Sequence, residues 1–136
     1  MKLEKLIPNL MVEDISFTLN YYHGVLGFDT VSTWPEAGDE ELRRAKVRKG
    51  DVEIMFQSEK SLKKEIPELR HDDPAGGLTL VIMVTGISEF YNHLYSSLDV
   101  VVPLKDTPQG MKQFTVRDVN GYYLTFTESL EHIDQV

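Results

Sequence analysis

Cysteine is absent from the 136 residues, which removes disulfides, thiolate zinc sites and thiol nucleophiles at once. Basic residues are scarce as well: 14 Lys and Arg stand against 22 Asp and Glu, a formal net charge of −8. Nucleic-acid binding needs a basic face to displace counterions, so that class of function drops out. No apolar run approaches the ~20 residues of a membrane-spanning helix, and no basic amphipathic stretch suggests a membrane surface. The opening Met1-Lys2-Leu3-Glu4-Lys5-Leu6 has charges where a signal peptide needs an apolar stretch, so a cytoplasmic location is expected. A Ser-His-Asp order, a phosphate-cradling glycine loop, a dinucleotide fingerprint and low-complexity sequence are all missing. What is present is 41% hydrophobic residues with aromatics at 10%, enough to bury the core of one domain spanning 1–136.

Hydrophobic spacing divides that domain into two similar halves. Leu3 to Val12 reads as a strand. Asp14 then precedes Ile15, Leu19, Tyr22 and Leu26, apolar positions three or four apart, which predicts a helix capped by Asp14 and closed at Gly27. Phe28 to Trp34, Leu42 to Arg48 and Val52 to Gln57 read as three strands. Between them come a turn over Pro35 to Glu41 and the tight turn Lys49-Gly50-Asp51. This first module covers about 1–58; a polar connector with room for one short helical stretch covers about 59–76.

The same order then returns over about 77–130, ahead of a tail at 131–136. Leu78 to Val84 is a strand and Ile87 to Leu98 a helix; Val100 to Leu104, Met111 to Val116 and Tyr122 to Thr127 are three more strands. At an offset of 72 positions, Val12, Ile15, Ser16 and Asn20 recur as Val84, Ile87, Ser88 and Asn92, all at the strand-to-helix junction. Two copies at so long a period predict an α+β fold of tandem βαβββ modules rather than a solenoid. Curved sheets of this kind, each with its helix outside, would enclose a cleft suited to a small molecule.

Strand alternation sorts the core from the cleft wall. Val52, Ile54 and Phe56 should face the first helix, leaving Glu53, Met55 and Gln57 inside. Leu78, Leu80 and Ile82 should face the second helix, leaving Thr79, Val81 and Met83 inside. Ile7, Asn9 and Met11 share the inner face on the first strand, and Tyr123, Thr125 and Thr127 on the last. The expected wall is apolar and sulfur-rich, suited to a flexible organic ligand. Glu53 is its sharpest residue, a lone carboxylate able to pair with a ligand cation, to act as a general base, or to stand solvated at the mouth. Trp34 either lines the pocket or packs at a dimer edge. His23, His93, His71 and His132 read as surface or loop histidines, and Arg117-Asp118 as a pair closing the last hairpin.

Ile7-Pro8-Asn9-Leu10-Met11-Val12-Glu13-Asp14-Ile15, with Tyr21-Tyr22 and Leu26-Gly27-Phe28, resembles the vicinal-oxygen-chelate superfamily of glyoxalases, bleomycin-resistance proteins and ring-cleaving dioxygenases. Gln113 to Tyr122 is similar to that superfamily's late hairpin. Enzymes of the group hold a divalent metal with one ligand from each of four inner strands. The resemblance lays those positions on Ile7, Glu53, Thr79 and Thr125, where Glu53 alone is a good ligand, so it implies no metal and no cofactor. Pro8, Gly86 to Tyr91 and Phe114 to Asp118 resemble the bleomycin-resistance branch. That branch implies a homodimer with first-strand exchange hinged at Pro8, holding an organic ligand, such as a cationic antibiotic, without chemistry. Gln109 stands where many relatives have a Trp that stacks on the drug. A glyoxalase-like lyase or isomerase with Glu53 as base, and a ligand-sensing module, remain the alternatives.

Overall fold

The computed structural model describes residues 1–35 and 41–131. The chain divides into two compact units, Met1–Ala75 and Gly76–Val136.

In the first unit, β1 (Asn9–Val12), α1 (Ile15–Gly24), β2 (Asp29–Trp34), β3 (Arg44–Lys49) and β4 (Val52–Ser58) are followed by α2 (Glu59–Glu65) and a 3-10 turn at Pro67–Leu69. The sheet order is β1-β4-β3-β2, with β1 parallel to β4 and the other pairs antiparallel. The second unit repeats the plan. It runs β5 (Thr79–Met83), α3 (Ile87–Leu94), a 3-10 turn at Tyr95–Ser97, β6 (Asp99–Asp106), β7 (Met111–Arg117) and β8 (Tyr123–Ser129). Its sheet order is β5-β8-β7-β6, again with one parallel pair. The tandem βαβββ arrangement expected from the offset repeat is the arrangement found.

Local chemistry explains the helix ends. The Asp14 carboxylate accepts from the Phe17 N–H at 2.8 Å, the N-cap that the spacing predicts. Past the helix, Gly27 takes a left-handed φ of 77° and its N–H donates to the His23 carbonyl at 3.2 Å. Lys49 Nζ donates to the Leu26 carbonyl at 3.0 Å, a cation at the helix C-terminus where the dipole favours it.

Each sheet buries one face against its own long helix. In the first unit the Tyr22 ring stands 4.7 Å from Phe56 and 5.7 Å from Phe28, over buried Val12, Val47 and Ile54. In the second, Phe90 of α3 lies 4.9 Å from Phe126 and 5.8 Å from Phe114. Full burial of a side chain such as Tyr22 stabilises by about 1.5–3 kcal/mol, and the half-buried Phe90 with the fully buried Ile87 holds α3 to its sheet in the same way.

Three boundaries differ from expectation. The first strand begins at Asn9, not Leu3, because Pro8 has no N–H and the ladder to β4 starts with its carbonyl, which accepts from Met55 N–H at 2.8 Å. The second helix stops at Leu94 and tightens into the 3-10 turn. The connector is more ordered than its polarity suggests, since the Ser58 hydroxyl caps α2 by accepting from Ser61 N–H at 3.2 Å. Most of the turn expected over Pro35 to Glu41, and His132 with the rest of the tail, lie outside the described residues.

Candidate functional site

On the first sheet, the face away from α1 carries the chemistry. Register places Asn9 beside Met55 and Met11 beside Gln57. Across the next pairs, Glu53 lies beside Arg48, Met55 beside Lys46 and Gln57 beside Arg44. β3 alternates Arg44, Lys46 and Arg48 on this face with buried Ala45 and Val47 on the other. Trp34 ends β2 opposite Arg44 and is exposed.

The apolar wall expected in this unit is therefore largely a cationic one. The Glu53 side chain is only 6% exposed, and Lys5 Nζ contacts its Oε2. Lys46 Nζ and Arg48 Nε each stand 3.6 Å from its Oε1. A buried carboxylate survives in a sheet only when paired, and here three cations surround it. The open pairing site for a ligand cation that the sequence suggested at Glu53 is thus already taken. Lys5, Arg48, Gly50, Asp51 and Glu53 line an open cavity of about 320 Å³.

At the other end of the same face, Gln57 is 1% exposed and fully engaged. Its Oε1 accepts from Asn9 Nδ2 at 2.9 Å, while Nε2 donates to Ser61 Oγ at 3.0 Å and Glu65 Oε2 at 2.9 Å. Glu65 also meets Arg44 Nη2 at 3.1 Å. The amide bond from Gln57, and then Arg44, hold the Glu65 carboxyl below its ordinary range. Asn9 and Gln57 thus tie β1, β4 and α2 together.

The second unit has its own face away from α3. Thr79, Val81 and Met83 on the edge strand β5 are exposed, beside Tyr123, Thr125 and Thr127 of β8. The Thr115 and Thr125 hydroxyls share a hydrogen bond of 2.7 Å, and Thr127 Oγ1 donates to Gln113 Oε1 at 3.3 Å. The Arg117 guanidinium lies 5.7 Å over the Tyr123 ring and 3.8 Å from Asp99 Oδ2. Asp118 closes the hairpin by accepting from the N–H groups of Asn120 and Tyr122 at 2.9 and 2.8 Å. Gln109 is exposed in the turn between β6 and β7.

A family model for the glyoxalase/bleomycin resistance protein/dioxygenase superfamily matches residues 6–126. The chain belongs to that superfamily. Among solved structures, it is similar to TioX from Micromonospora sp. ML1, at 24% identity and a TM-score of 0.72, covering 93% of this chain and 99% of that one. It is similar to the bleomycin-binding protein of Streptomyces verticillus, solved with copper(II)-bleomycin, at 20% identity and a TM-score of 0.65, covering 95% and 98%. A superfamily member from Nocardioides aligns with a TM-score of 0.76 at 16% identity, covering 96% and 86%. At such identities the likeness shows the fold. No curated protein sequence matches significantly.

The metal positions of this superfamily do not fit a metal here. Ile7 has no donor atom, the Glu53 carboxylate faces three cations, and the Thr125 hydroxyl is bonded to Thr115. Among the described residues no three His, Asp or Glu side chains gather to hold an ion.

Two features escaped the sequence reading. The row Arg44, Lys46, Arg48 was visible as cations alternating with Ala45 and Val47. Glu128, 5% exposed, accepts from the N–H groups of Gly86 and Ile87 at 3.1 and 3.0 Å and so caps α3 from the last strand. Its signal was a glycine, Gly86, at a helix start that needs an acceptor.

Proposed function

We infer that this superfamily member is a metal-free protein of the bleomycin-resistance type, which binds a small organic molecule and does no chemistry on it. The observation that carries this reading is the ring of Lys5, Lys46 and Arg48 around Glu53. It occupies the one carboxylate at the superfamily's ligand positions, and with it the one candidate base. The copper(II)-bleomycin in the structure of the Streptomyces verticillus relative supports an organic ligand for this fold. The recognition surfaces are those described on each unit. Asn9, Met55, Ile7 and Trp34 serve in the first, held in place by the buried Met11, Glu53 and Gln57, and Thr79, Val81, Met83, Tyr123, Thr125 and Gln109 serve in the second.

The protein works as a homodimer. Asn9–Val12 is already paired with β4 of its own chain and Lys5 with its own Glu53, so the residues before Lys5, with Leu3 almost fully exposed, are the part available for exchange.

Elemental analysis after dialysis against zinc, nickel or manganese, run beside a turnover assay on thiohemiacetals, tests the reading. Well under one ion per chain and no turnover are expected. One tightly held ion per chain, or measurable turnover, overturns it.

A further inference from the structure

Resting on the binding reading above, the geometry points to the charge of the ligand: the cavity beside Glu53 takes the oxyanion group, a carboxylate or phosphate, of a small organic molecule. Lys5 and Arg48 line that cavity, and Lys46 stands 3.6 Å from the same Glu53 oxygen that Arg48 approaches. Three cations converge on one buried anion. Asp51 lines the same cavity from the turn and Asp29 is in register with Arg48, but both are exposed and so well screened by water.

The ion pairs also leave donors over. At 3.6 Å, Lys46 and Arg48 are beyond hydrogen-bond distance from Glu53, and neither side chain makes a hydrogen bond among the described residues. The Arg48 side chain is 50% exposed and that of Lys5 54%, so both reach the cavity and solvent together. A guanidinium fork with free N–H groups matches a planar or tetrahedral oxyanion in a bidentate contact. A ligand cation, by contrast, would meet Lys5 and Arg48 in the lining, with Glu53 already paired and only the exposed Asp51 left to receive it. Glu53 offsets only part of this positive charge and leaves the rest to the ligand.

The test is a calorimetric titration with four probes of one shape: 1-naphthoate, 1-naphthyl phosphate, 1-naphthamide and 1-naphthylmethylammonium. Naphthoate or naphthyl phosphate should bind at least about tenfold more tightly than the amide, and the ammonium most weakly, the scale of one charge-assisted hydrogen bond. Whichever anion binds better identifies the group, carboxylate or phosphate. Arg48→Gln and Lys5→Gln, both at well-exposed positions, should each cost about tenfold for the anion and leave the amide unchanged. Glu53→Gln should tighten the anion several-fold by removing the competing charge, a gain that a damaged fold cannot mimic. Equal affinity for amide and anion, or tighter binding of the ammonium, overturns the oxyanion site while leaving a small-molecule binder. Failure of all four probes to bind overturns the site, while the metal and turnover measurements decide the binding reading separately.

Discussion

Replacing Glu128 by Ala should destabilise the second unit through the start of α3. Gly86, the N-cap residue, has no side chain and a φ of 76°, so the helix depends on a carboxylate forty-two residues away in sequence. Ile87 is fully buried, and without Glu128 its N–H would have neither partner nor water; a hydrogen bond to a charged acceptor contributes about 1.5–3 kcal/mol. The Gly86 N–H lies at an exposed residue, where water can replace the lost acceptor, so its share is about 0.5–1 kcal/mol. The sum is about 2–4 kcal/mol, a large part of the roughly 5–15 kcal/mol that holds a domain folded. Glu128→Gln keeps one acceptor oxygen without the charge and should lose about half as much. Urea denaturation followed by circular dichroism measures both. Glu89, exposed in the first turn of the same helix, is the control, and Glu89→Gln should change stability by no more than about 0.5 kcal/mol. If Glu128→Ala also stays within about 0.5 kcal/mol of the wild type, the cap contributes nothing and the reasoning fails.

Two further outcomes follow from the site. Gln57→Leu removes the main cause of the lowered Glu65 pKa, so an NMR titration should find that carboxyl nearer the ordinary glutamate range. Because the folded pKa is depressed, the contribution of Glu65 is complete above its unfolded value and is lost as pH falls through the lowered one; in Gln57→Leu that loss should begin at higher pH. An unmoved Glu65 titration would show that Arg44 alone sets it. In sedimentation equilibrium at micromolar concentration the chain should run as a dimer, and a monomer throughout would remove the homodimer from the proposed function.

The fold was legible because its signals are local and occur twice. Asp14 before an apolar 3.6-residue period, Gly50-Asp51 between two alternating runs, and the repeated Val-x-x-Ile-Ser junction each act within a few residues. The cleft wall was less legible. Alternation placed Glu53, Met55 and Gln57 on one face correctly, yet it left their neighbours unknown. What surrounds Glu53 depends on the β3–β4 register, which pairs it with Arg48, and on a lysine that approaches from forty-eight residues upstream. From its own stretch Gln57 reads as a ligand contact, because nothing there shows that Ser61 and Glu65 fold back onto it. Glu128 was missed for the same reason: its partners are amides of a distant helix, and amides leave no trace in a side-chain pattern.

The Asn9–Gln57 bond has a consequence for how each sheet resists sliding. A one-residue slip between parallel strands turns core side chains to solvent, so packing forbids it, but a two-residue slip keeps every face and is opposed much less. In the first unit such a slip toward the start of β4 would carry Asn9 away from Gln57 and leave the oxygen of that buried amide without its partner. On the corresponding face of β5 the second unit has Val81 and Met83, which cannot make such a bond, and Thr79, whose hydroxyl makes none among the described residues. β1 is therefore keyed to one alignment by a polar latch, whereas β5 is aligned by its backbone ladder and the packing of Leu80 and Ile82. The two copies of one plan differ in what fixes their outer parallel strand, and β5 is the strand with the smaller barrier to sliding.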